Sequence, residues 1–263
     1  MDLNLAGRRA FISGSTQGIG FAAAEALAAE GVDVVLNGRT AEKVELAVER
    51  LREQFPATNP AGIAADFADS ESVDLLLAQL GSIDILINNV GIFGLEAFAA
   101  ITDADWQRYF DINVMSGVRL SRALLPLMLQ RGWGRIIFVS SESGVNIPAD
   151  MVHYGTSKAS MIALGNGLAK LTRGTSVTVN TVLGGPTYSD SVDETVRSIA
   201  EAQSAPPEAV KQAIIAQNQT TLLERFLDPT EIADLVAFLS SPRSSATNGA
   251  AVRADGGVLT AML

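Results

Sequence analysis

The chain has no cysteine and a single histidine, His153. The first absence removes disulfide staples and thiolate chemistry and leaves the redox compartment open. The second, with no clustered His/Cys/carboxylate set along the chain, gives no indication of a catalytic metal. Basic residues are scarce too: 19 Lys and Arg stand against 29 Asp and Glu, a formal net charge of −10. Phosphate backbones demand clustered Lys and Arg, so nucleic acid is not an expected partner, and neither is an anionic membrane surface. A compact polyanion is not excluded, because backbone N–H groups and one or two basic side chains suffice locally. No apolar run approaches the ~20 residues of a membrane span. Met1 to Gly14 lacks the basic-then-apolar pattern of a signal peptide. The expectation is a soluble, cytoplasmic protein.

What is present reads as one globular unit. With 263 residues, 48% hydrophobic and 18% charged, the chain can bury a substantial core without staples. The runs Arg9–Ser13, Val32–Leu36, Gly62–Asp66, Ile83–Ile87, Arg135–Val139 and Ser176–Asn180 predict strands, with a seventh over Ala250–Arg253. They are short and rich in β-branched residues, and several are apolar almost throughout, as strands covered on both faces are. Segments 17–30, 41–54, 70–80, 103–130, 152–172 and 229–240 predict helices. Thr102 with Asp105 makes an approximate capping box, and Asp228-Pro229 sets an N-cap before a proline at the first helical position. Such alternation means parallel strands joined by right-handed crossovers. The fold expected is α/β: a doubly wound, Rossmann-type parallel sheet of about seven strands with helices on both faces, one domain over residues 1–263. The stretch 188–227 breaks the rhythm, with helical patterns at 192–202 and 206–217 and no strand. It is expected to form a substrate lid over the ligand crevice; a surface helical pair with no role in binding is the alternative.

Phe11-Ile12-Ser13 leads directly into Gly14, Ser15, Thr16, Gln17, Gly18, Ile19 and Gly20, and a helical pattern follows. Glycines there allow a tight turn and close backbone approach to a pyrophosphate, and the helix start offers unpaired N–H groups. This is the physics of a dinucleotide site, although a plain strand–helix turn could carry the same glycines. The second strand ends Leu36-Asn37-Gly38-Arg39, without a carboxylate for a ribose 2′-hydroxyl and with a guanidinium that can pair with a 2′-phosphate. NADP(H) is therefore favoured over NAD(H), unless Arg39 is only a solvated loop residue. Asp66, followed by Phe67, ends the third strand where an adenine amino group could donate to it. Asn88, Asn89, Val90 and Gly91 close the fourth strand, either facing the cofactor or bracing the sheet.

The sharpest constellation is Ser141 followed by Tyr154-Gly-Thr-Ser-Lys158. Tyr154 and Lys158, at i and i+4, share one helical face. An ammonium beside a phenol favours phenolate and lowers a pKa that is ordinarily about 10. A tyrosine so tuned can exchange a proton with a carbonyl oxygen near neutral pH. Ser141 follows the fifth strand on the carboxyl side, where its hydroxyl could hold the substrate oxygen.

These residues, with Asn113 and the late Asp255-Gly256-Gly257, resemble the short-chain dehydrogenase/reductase family in its short, single-domain form. The resemblance runs over nearly the whole chain. It implies an oxidoreductase that moves a hydride between nicotinamide and a small carbonyl or alcohol substrate, with a tetrad of Asn113, Ser141, Tyr154 and Lys158. Tyr154 would be the acid/base and Ser141 would steady the reacting oxygen. Lys158 would bind the nicotinamide ribose and lower the Tyr154 pKa, while Asn113 would support a proton-relay water. It further implies that Gly185, Pro186, Thr187 and Ser189 border the nicotinamide, and that the chain forms a homo-oligomer, tetramer or dimer, through helices 103–130 and 152–172. Three positions depart from the family pattern. Val90 replaces an alanine, Ser189 replaces a threonine, and Gly184-Gly185 replaces Pro-Gly, which should loosen the turn into the lid.

Some residues are not promoted. His153 neighbours Tyr154 on the helix and points about 100° away, so surface or substrate-rim packing is expected of it. Glu142 could face a polar substrate or be merely solvated. Trp106 and Trp133 are expected to be packing anchors. Phe93, Glu142, Ile147, His153, Gly185 and the 188–227 stretch are candidate pocket walls. A non-catalytic, NADP(H)-binding regulatory protein is the competing function, and loss of Tyr154 or Lys158 would have favoured it.

Overall fold

Along each central strand successive apolar side chains must point to opposite faces, so a run such as Ile136-Ile137-Phe138-Val139 needs cover on both sides. The computed structural model describes residues 2–217 and 220–262; residues 1 and 263 of the expected domain, and 218 and 219 of the expected insertion, lie outside the described residues. Its elements run β1 (Arg9–Ile12), α1 (Gly18–Ala29), β2 (Asp33–Gly38), α2 (Ala41–Gln54), β3 (Ala61–Ala64), α3 (Ser70–Leu80), β4 (Ile85–Asn88), α4 (Asp103–Tyr109), α5 (Ser116–Arg131), β5 (Trp133–Ser141), α6 (Val152–Leu171), β6 (Ser176–Gly184), α7 (Asp190–Gln203), α8 (Pro207–Gln217), α9 (Pro229–Ser240) and β7 (Ala251–Ala254).

The strands form one seven-stranded sheet in the order β3-β2-β1-β4-β5-β6-β7, every pair parallel. The period-two rule sorts the core into two layers. Ile12, Leu36, Ile87 and Ile137 pack toward α1 and α9. Phe11, Val35, Leu86, Ile136 and Phe138 pack toward α3, α5 and α6. Each such side chain removed from water contributes about 1.5–3 kcal/mol before the entropy of ordering is subtracted. Chain order reverses between β1 and β4, so the crevice at their carboxyl ends is the switch point where doubly wound sheets bind ligands.

Local signals act where expected. Thr102 and Asp105 form a full capping box for α4, and Asp228 with Glu231 does so for α9 behind Pro229. Strand bounds shift by one or two residues, so that β3 ends at Ala64 short of Asp66 and β5 spans Trp133–Ser141, and two elements differ more from the sequence reading. Segment 103–130 is not one regular helix: a π-helical turn, Phe110–Met115, separates α4 from α5 and carries Asn113. β6 runs four residues past Asn180, because that amide is satisfied inside the sheet, donating to Thr247 O at 2.8 Å and accepting from Ala250 N at 3.2 Å. The expected loosening at Gly184-Gly185 is not seen. Gly184 is paired with Ser141 on one side and Ala254 on the other, and Gly185 N donates to Ala254 O at 3.1 Å.

The insertion between β6 and β7 carries α7 and α8 over a small core of Val196, Ala200 and Val210. Its two ends are tied by a bridge between Thr187 and Leu227. No helix among the described residues is long and apolar enough to cross a membrane.

Candidate active site

The turn after β1 is held from both sides. Asn89 Nδ2 donates to Ser13 O at 3.0 Å and to Gly14 O at 2.8 Å, while Ser13 Oγ accepts from the N–H groups of Asn89 and Val90 at 2.9 and 3.0 Å. From β2, Asn37 Oδ1 accepts from Gly14 N at 3.0 Å, and its Nδ2 donates to Ile63 O at 3.0 Å. Asn88 is buried and donates to Ser121 Oγ at 3.4 Å. For Asn88 and Asn89, bracing is therefore what the side chains do. Ser15 is also turned inward, donating from Oγ to Ile12 O at 2.8 Å, so only its backbone can face a ligand. A methyl at Gly20 would lie 2.4 Å from Gly14 O and 2.5 Å from Asn89 Nδ2, so this approach tolerates nothing larger than glycine.

α1 begins with no side-chain cap and no acidic residue in its first turn, which leaves its leading N–H groups for an anion. One of them, Gly18 N, donates at 2.8 Å to Asp190 Oδ2, from the first residue of α7. The carboxylate stands where a phosphate oxygen would bind, so the glycine turn and uncapped helix fit a dinucleotide pyrophosphate. Beyond the carboxyl ends of β2 and β3, Arg39 and Asp66 are exposed. Asp66 Oδ1 accepts from Ala68 N at 2.9 Å. Phe67 buries its ring in the core, leaving its backbone alone to face the crevice. Thr16 is half-buried and Gln17 exposed along the same turn.

Ser141 ends β5 and caps the short turn after it, accepting from Ser143 N at 3.1 Å. Its hydroxyl donates a short hydrogen bond to Glu142 Oε2 and lies close enough to the Tyr154 phenol to pull that group's pKa downward. Glu142 Oε1 also accepts from Ser143 Oγ, at 3.0 Å. Lys158, buried one turn along α6 from Tyr154, donates from Nζ to Val139 O at 3.0 Å and lies 5.7 Å from the Tyr154 ring centroid. α6 is pinned to the sheet by Ser140 Oγ, which donates to Lys158 O at 2.9 Å. A methyl at Gly91 would come within 3.3 Å of Asn113 Oδ1 and 3.4 Å of Lys158 Nζ, so all four tetrad positions converge on one end of β5.

The Asn113 amide is satisfied within the protein: Oδ1 accepts from Ile92 N at 2.7 Å, and Nδ2 donates to Ile92 O at 3.0 Å and to Ser157 Oγ at 2.9 Å. It ties the loop after β4 to α6. For the Tyr154 phenol the net direction is upward. Burial pushes it above its ordinary value of 10, the Ser141 hydroxyl opposes this, and the charge of Glu142 adds to the rise. The Lys158 ammonium is turned to Val139 O, and burial lowers it to about 8 against an upward pull from Glu142.

Around this centre Phe93 meets the Tyr154 ring edge-on at 6.4 Å, and Ile147 is exposed nearby. His153 is not a surface or rim residue. It is buried, its ring 4.0 Å from that of Tyr109 and 6.3 Å from that of Trp106, with Nδ1 lacking a hydrogen-bond partner. Trp106 thus anchors packing, as does Trp133 beneath the guanidinium groups of Arg8 and Arg135. Thr187 Oγ1 donates inward to Gly185 O at 2.9 Å, and Ser189 Oγ lies 3.2 Å from Ser191 Oγ. Gly185 and Pro186 are half-buried at the mouth of the insertion. Asn37 and Asp190 were missed in the sequence. A buried amide at a strand end was a usable sign for the first; the second meets Gly18 only through the fold.

The chain matches the family model described as short chain dehydrogenase over residues 8–200. It is 40% identical to the uncharacterised oxidoreductase YvaG of Bacillus subtilis, over 98% of each chain. It is 30% identical to the D-beta-hydroxybutyrate dehydrogenase of Cupriavidus necator, over 96% of this chain and 98% of that one. The crystal structure of L-sorbose reductase from Gluconobacter frateurii, complexed with NADPH and L-sorbose, is similar over 100% of both chains, with a TM-score of 0.94 and 31% identity.

Proposed function

Because the chain belongs to the short-chain dehydrogenase family and is an NAD(P)-dependent oxidoreductase acting on CH–OH or C=O groups, we propose that Tyr154 is its acid/base and that NADP(H) is its preferred cofactor. The non-catalytic alternative falls with the family assignment, since the relatives are named oxidoreductases. The observation that carries the proposal is the convergence of Ser141, at the carboxyl end of β5, with Tyr154 and Lys158 on α6, where Lys158 Nζ lies 5.7 Å from the Tyr154 ring centroid.

When bound, the nicotinamide supplies or accepts the hydride. In the reducing direction the Tyr154 hydroxyl gives its proton to the carbonyl oxygen, and in oxidation the phenolate takes it back. Ser141 Oγ orients that oxygen. Lys158 holds the nicotinamide ribose, and Asn113 keeps the loop after β4 and α6 in register around the Tyr–Lys pair. The turn Gly14–Gly20 and the N-terminus of α1 take the pyrophosphate, with Val90 and Gly91 across the crevice. Arg39 takes a 2′-phosphate and Asp66 the adenine. The insertion, with Gly185, Pro186, Thr187 and Ser189 at its root, closes over nicotinamide and substrate; the contact of Asp190 with Gly18 supports that lid role. Val145, Ala159, Ile162 and Ala163 line an apolar groove along α6, which supports a homo-oligomer built on that helix.

The test is NADPH-dependent reduction of small ketones by the wild type and by Tyr154→Phe. Loss of about 10²–10⁴-fold in turnover with NADPH affinity retained is expected of an acid/base; full activity in the variant rejects the role.

A further inference from the structure

Glu142 exchanges no proton in the transfer just described, yet its carboxylate is bonded directly to Ser141. Its half-buried carboxylate accepts from Ser141 Oγ through Oε2 and from Ser143 Oγ through Oε1. An ionised carboxylate has about four acceptor sites, so two remain after both serines are served. Among the described residues only these two hydroxyls donate to the carboxylate, and Phe93, Val145 and Ile147 present exposed apolar side chains on the same wall of the site. Burying a carboxylate against such a wall is costly unless a donor arrives with the ligand.

There is a second consequence. The Ser141 proton is committed to Glu142, whereas a serine that orients a carbonyl oxygen must donate to it. A ligand donor that took over the place of Ser141 on Glu142 would release the serine hydroxyl toward the carbonyl. The two acceptors to be served, Glu142 and the substrate oxygen, both lie within hydrogen-bond reach of one Oγ, so the donor belongs on the carbon next to the carbonyl.

We propose that Glu142 selects substrates carrying a hydroxyl on the carbon adjacent to the reacting carbonyl, accepting that hydroxyl's hydrogen bond and freeing Ser141 for the carbonyl oxygen. The substrate class is a neutral hydroxy ketone or polyhydroxy ketone. A keto acid would set its carboxylate against that of Glu142 and is disfavoured. This inference rests on the carbonyl-reducing reading above. No covalent step is added, only an exchange of hydrogen-bond donors.

The experiment compares 1-hydroxypropan-2-one with butan-2-one, which differ by a hydroxyl in place of a methyl, in NADPH-dependent reduction by the full chain. The wild type is expected to favour the hydroxy ketone in kcat/KM by about 10- to 100-fold, the discrimination given by a hydrogen bond to a charged group. That ratio should fall to within a few-fold of one in Glu142→Ala and to an intermediate value in Glu142→Gln, which keeps one acceptor oxygen. A wild-type ratio near one overturns the proposal whatever the variants do, so a variant that fails to fold does not protect it. A ratio preserved in both variants overturns it as well, leaving Glu142 only to position Ser141. Failure of the underlying reading looks different: a wild type that consumes NADPH with neither ketone rejects the Tyr154 chemistry and this proposal together. Equal rates on both ketones reject Glu142 selection alone.

Discussion

Gly18 N donates to Asp190 Oδ2 at 2.8 Å, a contact between residues 172 positions apart that brings the first turn of α7 onto the first turn of α1. The carboxylate occupies a donor that a pyrophosphate would need, and it carries the same sign of charge. Cofactor binding therefore has to displace the Asp190 carboxylate from Gly18 N. Asp190→Asn is expected to tighten NADPH binding about two- to fivefold, the usual scale of a charge at a helix terminus. The gain should shrink at high salt, because Asp190 is exposed. Fluorescence titration of NADPH into both proteins at two ionic strengths reads this; weaker binding in the variant would mean that Asp190 helps to close the site instead.

Arg39 follows Gly38 at the end of β2, on a strand whose terminal amide, Asn37, is wholly committed to the turn after β1 and to Ile63. No carboxylate is left there to repel a 2′-phosphate, and the guanidinium is free in solvent to pair with one. Arg39→Ala is expected to raise the NADPH Kd about 5- to 20-fold and leave the NADH Kd nearly unmoved. Parallel titrations of both cofactors decide it. If the wild type prefers NADH, the argument from Arg39 is wrong while the oxidoreductase assignment stands.

How much of this was legible in the sequence differs by kind of feature. The seven strands, the Thr102–Asp105 capping box, the Asp228 N-cap and the glycine turn were readable because each is a local pattern: period-two burial, a residue pair three apart, a cap before proline, or a backbone that excludes Cβ. Ser141, Tyr154 and Lys158 were readable as a set because strand end and helix face are both local properties. What escaped depends on contacts between distant segments. Asn113 reads as an amide in an apolar helix, and only the π-turn facing Ile92 and Ser157 reveals a purely bracing side chain. His153 lies about 100° round the helix from Tyr154, but that direction points into Trp106 and Tyr109 and not into solvent. The Lys158 ammonium could be placed on the right helical face, yet its bond to Val139 O follows from how closely α6 packs on β5.

Gly20 tests the backbone approach itself. A methyl there meets Gly14 O at 2.4 Å and Ser15 Cα at 2.9 Å, and neither is the free end of a flexible side chain. Gly20→Ala must push α1 away from the turn, and overpacking of this kind costs about 1–3 kcal/mol. Urea denaturation should show that loss in midpoint with an unchanged slope. NADPH affinity should fall alongside, since the turn and the helix start no longer share one geometry. A variant as stable as the wild type that still loses the cofactor would locate the close approach at the ligand and not within the protein.

The pH dependence separates the two directions of the reaction. Reduction needs Tyr154 protonated. Burial and the Glu142 charge hold its phenol above the ordinary value of 10, so ketone reduction should show no decline from Tyr154 across neutral pH. Oxidation needs the phenolate, so alcohol oxidation should climb about tenfold per pH unit and still be rising at about pH 9. Lys158 titrates earlier, lowered by burial to about 8, and its loss of charge should weaken cofactor binding above that value in both directions. Glu142→Gln removes a negative charge that raises both groups. Its oxidation profile should therefore move to lower pH, and the decline tied to Lys158 should begin sooner. Profiles of kcat/KM in both directions for wild type and Glu142→Gln make the measurement. An oxidation rate independent of pH would remove Tyr154 as the base, and a profile unmoved by the substitution would place the Glu142 charge out of reach of the reacting hydroxyl.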